Sequence, residues 1–161
     1  MKVSKTAVKT AAGAAGIAVL GVFAVSTATA EPAIQPFGTP EQLDDGALAT
    51  TYTVSGLGPA DVVIPGYQPR GKLYQADVTA HADRGTVTPV VADFSARAGD
   101  SQAYRVINTV PTPGGISPGP IPAGSAADGK IYFDVIGPPP DEVVYNDGVQ
   151  DVLIWTSQTR H

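Results

Sequence analysis

An all-β sandwich is the fold class this sequence predicts, and three observations predict it. Apolar side chains recur with period two, as strands with one buried face require. Turn signals rich in Gly, Pro, Asn and Asp punctuate those runs at short spacing. Fifteen prolines lie among 161 residues, and no segment after residue 30 carries a helix-period stripe longer than about two turns. Proline interrupts helices but fits strand ends and edges.

The first 30 residues stand apart from this pattern. Lys2, Lys5 and Lys9 make a short basic stretch, and Ala11–Val25 is apolar and small. Ser26-Thr27-Ala28-Thr29-Ala30 then offers the small-x-small pattern that a signal peptidase accepts. This three-part layout predicts a secretory signal peptide over residues 1–30, cleaved after Ala30, and one domain over residues 31–161. The apolar run is short against the roughly 20 residues that span a bilayer. No stable membrane anchor is therefore expected after cleavage, and the protein is expected to be extracellular.

Glu31–Asp45 has no clean period and reads as an extended lead-in. Leu48–Val54 alternates, with Tyr52 and Val54 inward. Lys72–Asp83 is the clearest strand: Tyr74, Ala76, Val78, Ala80 and Ala82 share one face, and Gln75, Asp77, Thr79, His81 and Asp83 the other. Further strands are expected at Asp61–Ile64, Val87–Val91, Phe94–Arg97, Ala103–Thr109, Lys130–Ile136, Glu142–Tyr145 and Asp151–Thr156. Ile131, Phe133 and Val135 form an inward set. Gly56-Leu57-Gly58-Pro59, Pro65-Gly66, Arg84-Gly85, Gly99-Asp100 and Asp128-Gly129 are expected turns. Asn146-Asp147-Gly148 reads as a hairpin turn, since these residues tolerate positive φ. Pro111–Gly124 is a long loop of mostly Pro and Gly. It reads as a solvated connector between two sheets, with a binding surface as the alternative.

Without the first 30 residues the chain keeps 7 basic and 15 acidic side chains, a net charge of −8 against −5 for the whole. That balance disfavours nucleic acid and anionic membranes, which bind basic surfaces. There is no cysteine. Disulfides, thiolate catalysis and zinc–thiolate sites are therefore excluded, and packing and strand pairing must hold the sandwich. A domain of this length buries about two-thirds of its unfolded surface, enough for a core without staples.

Gly115-Ile116-Ser117-Pro118-Gly119 matches the G-x-S-x-G string of serine hydrolases. No helix follows it, and Pro118 has no N–H to give an oxyanion. His161, downstream, is the terminal residue. The match is an accident of a Gly/Pro-rich loop. His81 shares the polar face of its strand with Asp83 and Asp77, which reads as a solvated His near carboxylates. Asp128, Asp134, Asp141, Glu142, Asp147 and Asp151 gather in the C-terminal half, but no Asp-x-Asp-x-Asp-Gly calcium loop exists. Asp141 and Glu142 are adjacent, so in a strand they face opposite ways, unsuited to paired-carboxylate glycoside chemistry. Trp155 reads as a core anchor of the last strand. No catalytic, cofactor-binding or metal-binding residue is expected, and no cofactor.

Six segments appear in a telling order: Val63-Ile64-Pro65-Gly66-Tyr67, Arg84-Gly85-Thr86-Val87-Thr88-Pro89, Phe94-Ser95-Ala96-Arg97, Tyr104-Arg105-Val106, Gly129-Lys130-Ile131-Tyr132-Phe133-Asp134-Val135 and Asp151-Val152-Leu153-Ile154-Trp155. In this order the chain resembles the small secreted immunogenic antigens of mycobacteria, the immunoprotective extracellular protein family. The resemblance runs from about Leu48 to Trp155 and includes the signal peptide. It implies an immunoglobulin-like antiparallel β-sandwich without disulfides, exported to the medium or the cell envelope, with no catalytic residue to carry over. The expected function is a non-enzymatic module binding a host or cell-envelope protein. Its rivals are an extracellular hydrolase using carboxylates and a structural envelope component.

Overall fold

A computed structural model describes residues 31–99 and 102–158. The expected signal peptide, the Gly99-Asp100 turn in part, and His161 lie outside the described residues. Among the described residues nine strands form two packed sheets: β1 (Ala33–Pro36), β2 (Pro40–Asp45), β3 (Leu48–Pro59), β4 (Lys72–Arg84), β5 (Phe94–Arg97), β6 (Ala103–Arg105), β7 (Ala126–Val135), β8 (Glu142–Asn146) and β9 (Asp151–Thr156). One sheet runs β1-β9-β8-β5-β6 and the other β2-β3-β4-β7. This is the immunoglobulin-like sandwich expected from the sequence. Among the strand pairs described, β1 departs from antiparallel pairing and lies parallel to β9.

The period-two faces meet in the middle. Tyr52, Val54, Ala76, Val78, Ile131 and Phe133 of one sheet pack with Phe94, Ala96, Val143, Tyr145, Leu153 and Trp155 of the other. An aromatic cluster centres this core. Phe94 meets Tyr52 edge-on at 5.4 Å and Tyr145 at 5.1 Å, while Tyr52 and Tyr145 stack at 5.2 Å. Trp155 is fully buried, and its indole N–H donates to Thr39 O at 2.9 Å. The core anchor expected at Trp155 is therefore in place.

Several expectations need correction, each for a physical reason. The lead-in Glu31–Asp45 holds two strands, β1 and β2, joined across the sheets at Phe37–Thr39. There Phe37 N–H donates to Thr156 O and Gly38 N–H to Val54 O. Gly56-Leu57-Gly58-Pro59 is no turn but the end of β3, where a bulge between Ser55 and Gly58 absorbs the glycines. Asp128-Gly129 lies inside β7, because a neighbouring segment passes too close there for a Cβ. Asp61–Ile64 is not a strand. It folds over the outer face of β4 and β7, where Ile64, Leu73, Ile107 and Tyr132 make a second apolar cluster.

Val87–Val91 reduces to one bridge, Val87 with Ile121, before a single 3-10 turn at Val91–Asp93. Ala103–Thr109 stops as a strand at Arg105, after which Val106 bridges to Phe133 of the opposite sheet. That crossing caps the outer edge of β7.

Candidate functional site

The Pro111–Gly124 segment is neither a free connector nor a strand. It links β6 of one sheet to β7 of the other as an anchored strap. Prolines carry no N–H, so its attachments come from the residues between them. Lys130 N–H donates to Gly114 O at 2.8 Å, and Ile116 N–H donates to Lys130 O at 3.1 Å. Val87 and Ile121 exchange two main-chain bonds, at 3.0 and 2.7 Å. Tyr132 OH reaches back to Pro113 O at 2.7 Å. Ile116 and Ile121 insert into the main core, 6% and 4% exposed. The expectation of a solvated connector is thus corrected: buried isoleucines pin what the prolines extend.

A tight turn begins the strap. In Thr112-Pro113-Gly114-Gly115, Gly115 N–H donates to Thr112 O at 3.1 Å, and Gly114 sits at φ +62°. Proline second and a positive-φ glycine third is the chemistry of a type II turn. This turn folds the strap against the segment entering it and leaves an open cleft of about 540 Å³. Val91, Ile107, Val110 and Ile116 give the cleft its apolar surfaces, and Asn108, Thr109, Thr112 and Ser117 its neutral polar groups. Pro111 and Pro118 complete its walls. None of the lining side chains is an acid, a base or a charge.

Ser117 belongs to this lining, yet among the described residues nothing around it makes a nucleophile. It is exposed and accepts a hydrogen bond from Gly119 N–H at 3.2 Å, and Pro118 follows it. His81 lies on the outer face of β4, where its Nδ1 is 2.8 Å from Asp83 Oδ1. Asp83 also accepts from Thr51 Oγ1 at 2.6 Å and Gln42 Nε2 at 3.1 Å. These bonds, Thr51's first and His81's last, hold its carboxyl below the usual range. Asp77 turns away to pair with Lys130 at 2.7 Å. Among the described residues no three His, Cys, Asp or Glu side chains are grouped to hold a metal ion.

The C-terminal acids are spread among local roles. Asp134 accepts from Tyr67 OH, Arg70 N–H and Gly71 N–H, each at 2.8 Å, tying the 64–71 segment to β7. Burial pushes this carboxyl up, but the three hydrogen bonds outweigh it and hold Asp134 below the ordinary value. Asp147 caps Val149 and Gln150 in the predicted hairpin turn. Asp151 bonds to Arg97 and Asn146. Asp141 Oδ2 accepts from Gln158.

One charged group escaped the sequence reading. Glu41 on β2 is 5% exposed, and neither carboxylate oxygen has a hydrogen-bond partner. Burial pushes its carboxyl up to about 7. Glu41 and Leu43 alternate as core-facing positions, but a glutamate in the inward place hides the period from a search for apolar residues.

Comparison with known proteins agrees with this architecture. A family model described as Domain of unknown function (DUF1942) matches residues 32–155. The chain is 40% identical over 153 residues to "Immunogenic protein MPB63" of Mycobacterium bovis and, to the same degree, to "Immunogenic protein MPT63" of Mycobacterium tuberculosis. Each match covers 93% of this chain and 96% of the relative. A crystal structure of MPT63, described as a secreted protein from Mycobacterium tuberculosis, superposes with a TM-score of 0.77 at 41% identity. It covers 80% of this chain and 99% of that one. The yjhA protein from Bacillus subtilis shares the fold, with a TM-score of 0.51 at 18% identity over 73% of this chain and 84% of its own.

Proposed function

This chain belongs to the DUF1942 family, and we propose that it is a secreted, non-enzymatic binding module whose contact site is the strap cleft. The observation that carries this reading is the cleft itself. It is a concave site of about 540 Å³, within the size range of ligand sites, built mainly from the long β6–β7 connection of a rigid sandwich. Its lining offers apolar contact and neutral hydrogen-bonding groups, the composition of recognition. General acid–base work needs a titratable group facing the reacting atom, and the cleft lining has none.

Secretion is supported by the relatives, one of which is described as secreted, and by the three-part layout of residues 1–30. The released protein then begins at Glu31, with a host or cell-envelope protein as its partner. Its acidic surface disfavours nucleic acid and anionic membrane.

The test is fractionation followed by capture. Protein recovered from the culture medium is expected to begin at Glu31. Cross-linked to host-cell and envelope extracts, it is expected to retain one partner that the Ser117→Glu variant loses. A partner held equally by that variant, or hydrolytic turnover of a chromogenic ester or glycoside by the purified protein, would overturn the proposal.

A further inference from the structure

We infer that the strap cleft receives an extended, uncharged peptide segment of the partner protein, an inference that rests on the cleft being the binding site. The lining carries no charge although the chain as a whole has a net charge of −5. A charged ligand would lose its hydration there without meeting an opposite charge.

Main-chain groups supply the second half of the argument. Asn108, Thr109 and Val110 make no main-chain hydrogen bond to any other described residue. They begin after the two residues that follow β6, once Val106 and Ile107 have bonded to Phe94 and to Tyr132 of β7, and the chain bends at Thr109 and Val110. A length of unpaired backbone beside an apolar hollow suits a ligand that brings a backbone of its own. Main-chain hydrogen bonds then give affinity, and the hollow selects side chains. Val91, Ile107, Val110 and Ile116 would receive one or two apolar side chains of the peptide, while Asn108, Thr112 and Ser117 meet its amides. A purely apolar molecule would cover the same hollow but leave those polar groups desolvated and unpaired, at a cost a peptide avoids.

The experiment selects a displayed library of random ten-residue peptides on the purified protein, with binding of neutral Nile red measured in parallel. The expected result is recovery of uncharged peptides with apolar residues. Their affinity should fall at least about tenfold in Asn108→Glu and in Ser117→Glu, which place a charge at the rim. Both positions are exposed, so the fold is kept. Gln150→Glu, on the exposed β8–β9 hairpin, should leave affinity unchanged. Charged peptides, or peptides indifferent to the rim substitutions, would overturn the inference. Nile red binding that responds to the rim substitutions without any selected peptide would sink the peptide ligand but keep the cleft as the binding site. If neither probe responds, the cleft itself falls.

Discussion

Gly129 and Ile116 approach so closely that a Cβ on Gly129 would collide with the Ile116 main chain. Here the strap lies against β7 without an intervening side chain, and the Gly114–Lys130–Ile116 bonds close around the contact. Gly129→Ala should therefore push the strap off its edge, at a cost of about 1–3 kcal/mol for forced overpacking. Denaturant unfolding measures the loss. Faster amide exchange at Ile116 and Lys130 would place it at the strap, and unchanged exchange there would contradict this account.

Glu41 gives the fold a pH dependence with a definite sign. Its carboxyl ionises near the ordinary 4.5 in the unfolded chain and near 7 in the folded one. The unfolded state therefore binds fewer protons between these values, and stability falls as pH rises through that window. Below about 4.5 the contribution is fully present, and above about 7 it is lost. Glu41→Gln should make the protein more stable than the parent at pH 8, by on the order of 2–3 kcal/mol, and nearly equal at pH 4. Parallel stability profiles for the two proteins would refute the assignment.

Asp134 should behave in the opposite sense. Its depressed value contributes stability above the ordinary carboxylate range, lost as pH falls through the folded value. Asp134→Asn keeps the shape but turns one acceptor oxygen into a donor, facing N–H groups that need an acceptor. The expected result is local. Amide protection at Arg70 and Gly71 should drop, while that of the β8–β9 pair should hold.

Trp155 is the sole tryptophan and fully buried, so its emission reports the core directly. Its red shift on unfolding should coincide with loss of the far-ultraviolet β signal, as one cooperative transition. Trp155→Phe removes the indole bond to Thr39 O along with ring volume, and should cost about 1–3 kcal/mol. A smaller loss would mean that Thr39 O finds another donor.

What the sequence made legible were the strands whose alternation is made of apolar residues. The Ala76, Val78, Ala80, Ala82 face and the Ile131, Phe133, Val135 face are core faces as expected. The His81–Asp83 neighbourhood was legible too, since period two puts both on one side, here the outer face of β4. β2 was hidden because its inward residue is Glu41. Gly58 and Gly129 were misleading, because glycine signals a turn, a bulge and a close approach alike. Only the fold decides among them. Ile64 and Tyr132 face away from the sandwich interior, so neither could be placed before the 60–67 segment was seen to cover them. The cleft was legible only as a loop of unusual composition. Its concavity depends on where Lys130, Val87 and Tyr132 catch the strap, and those contacts join residues far apart in sequence.

Pairing of β1 with β9 has a consequence for how the chain reaches its native state. The first strand of the sandwich finds its place only beside the last, so nearly the whole polypeptide must be present before that sheet can close. Loops of such length slow folding, because their closure entropy is lost before the contacts that offset it form. A chain emerging from its N-terminus stays open at this seam until β9 arrives. Until then β1 has no partner strand, and its unpaired main chain is open to pairing with other chains.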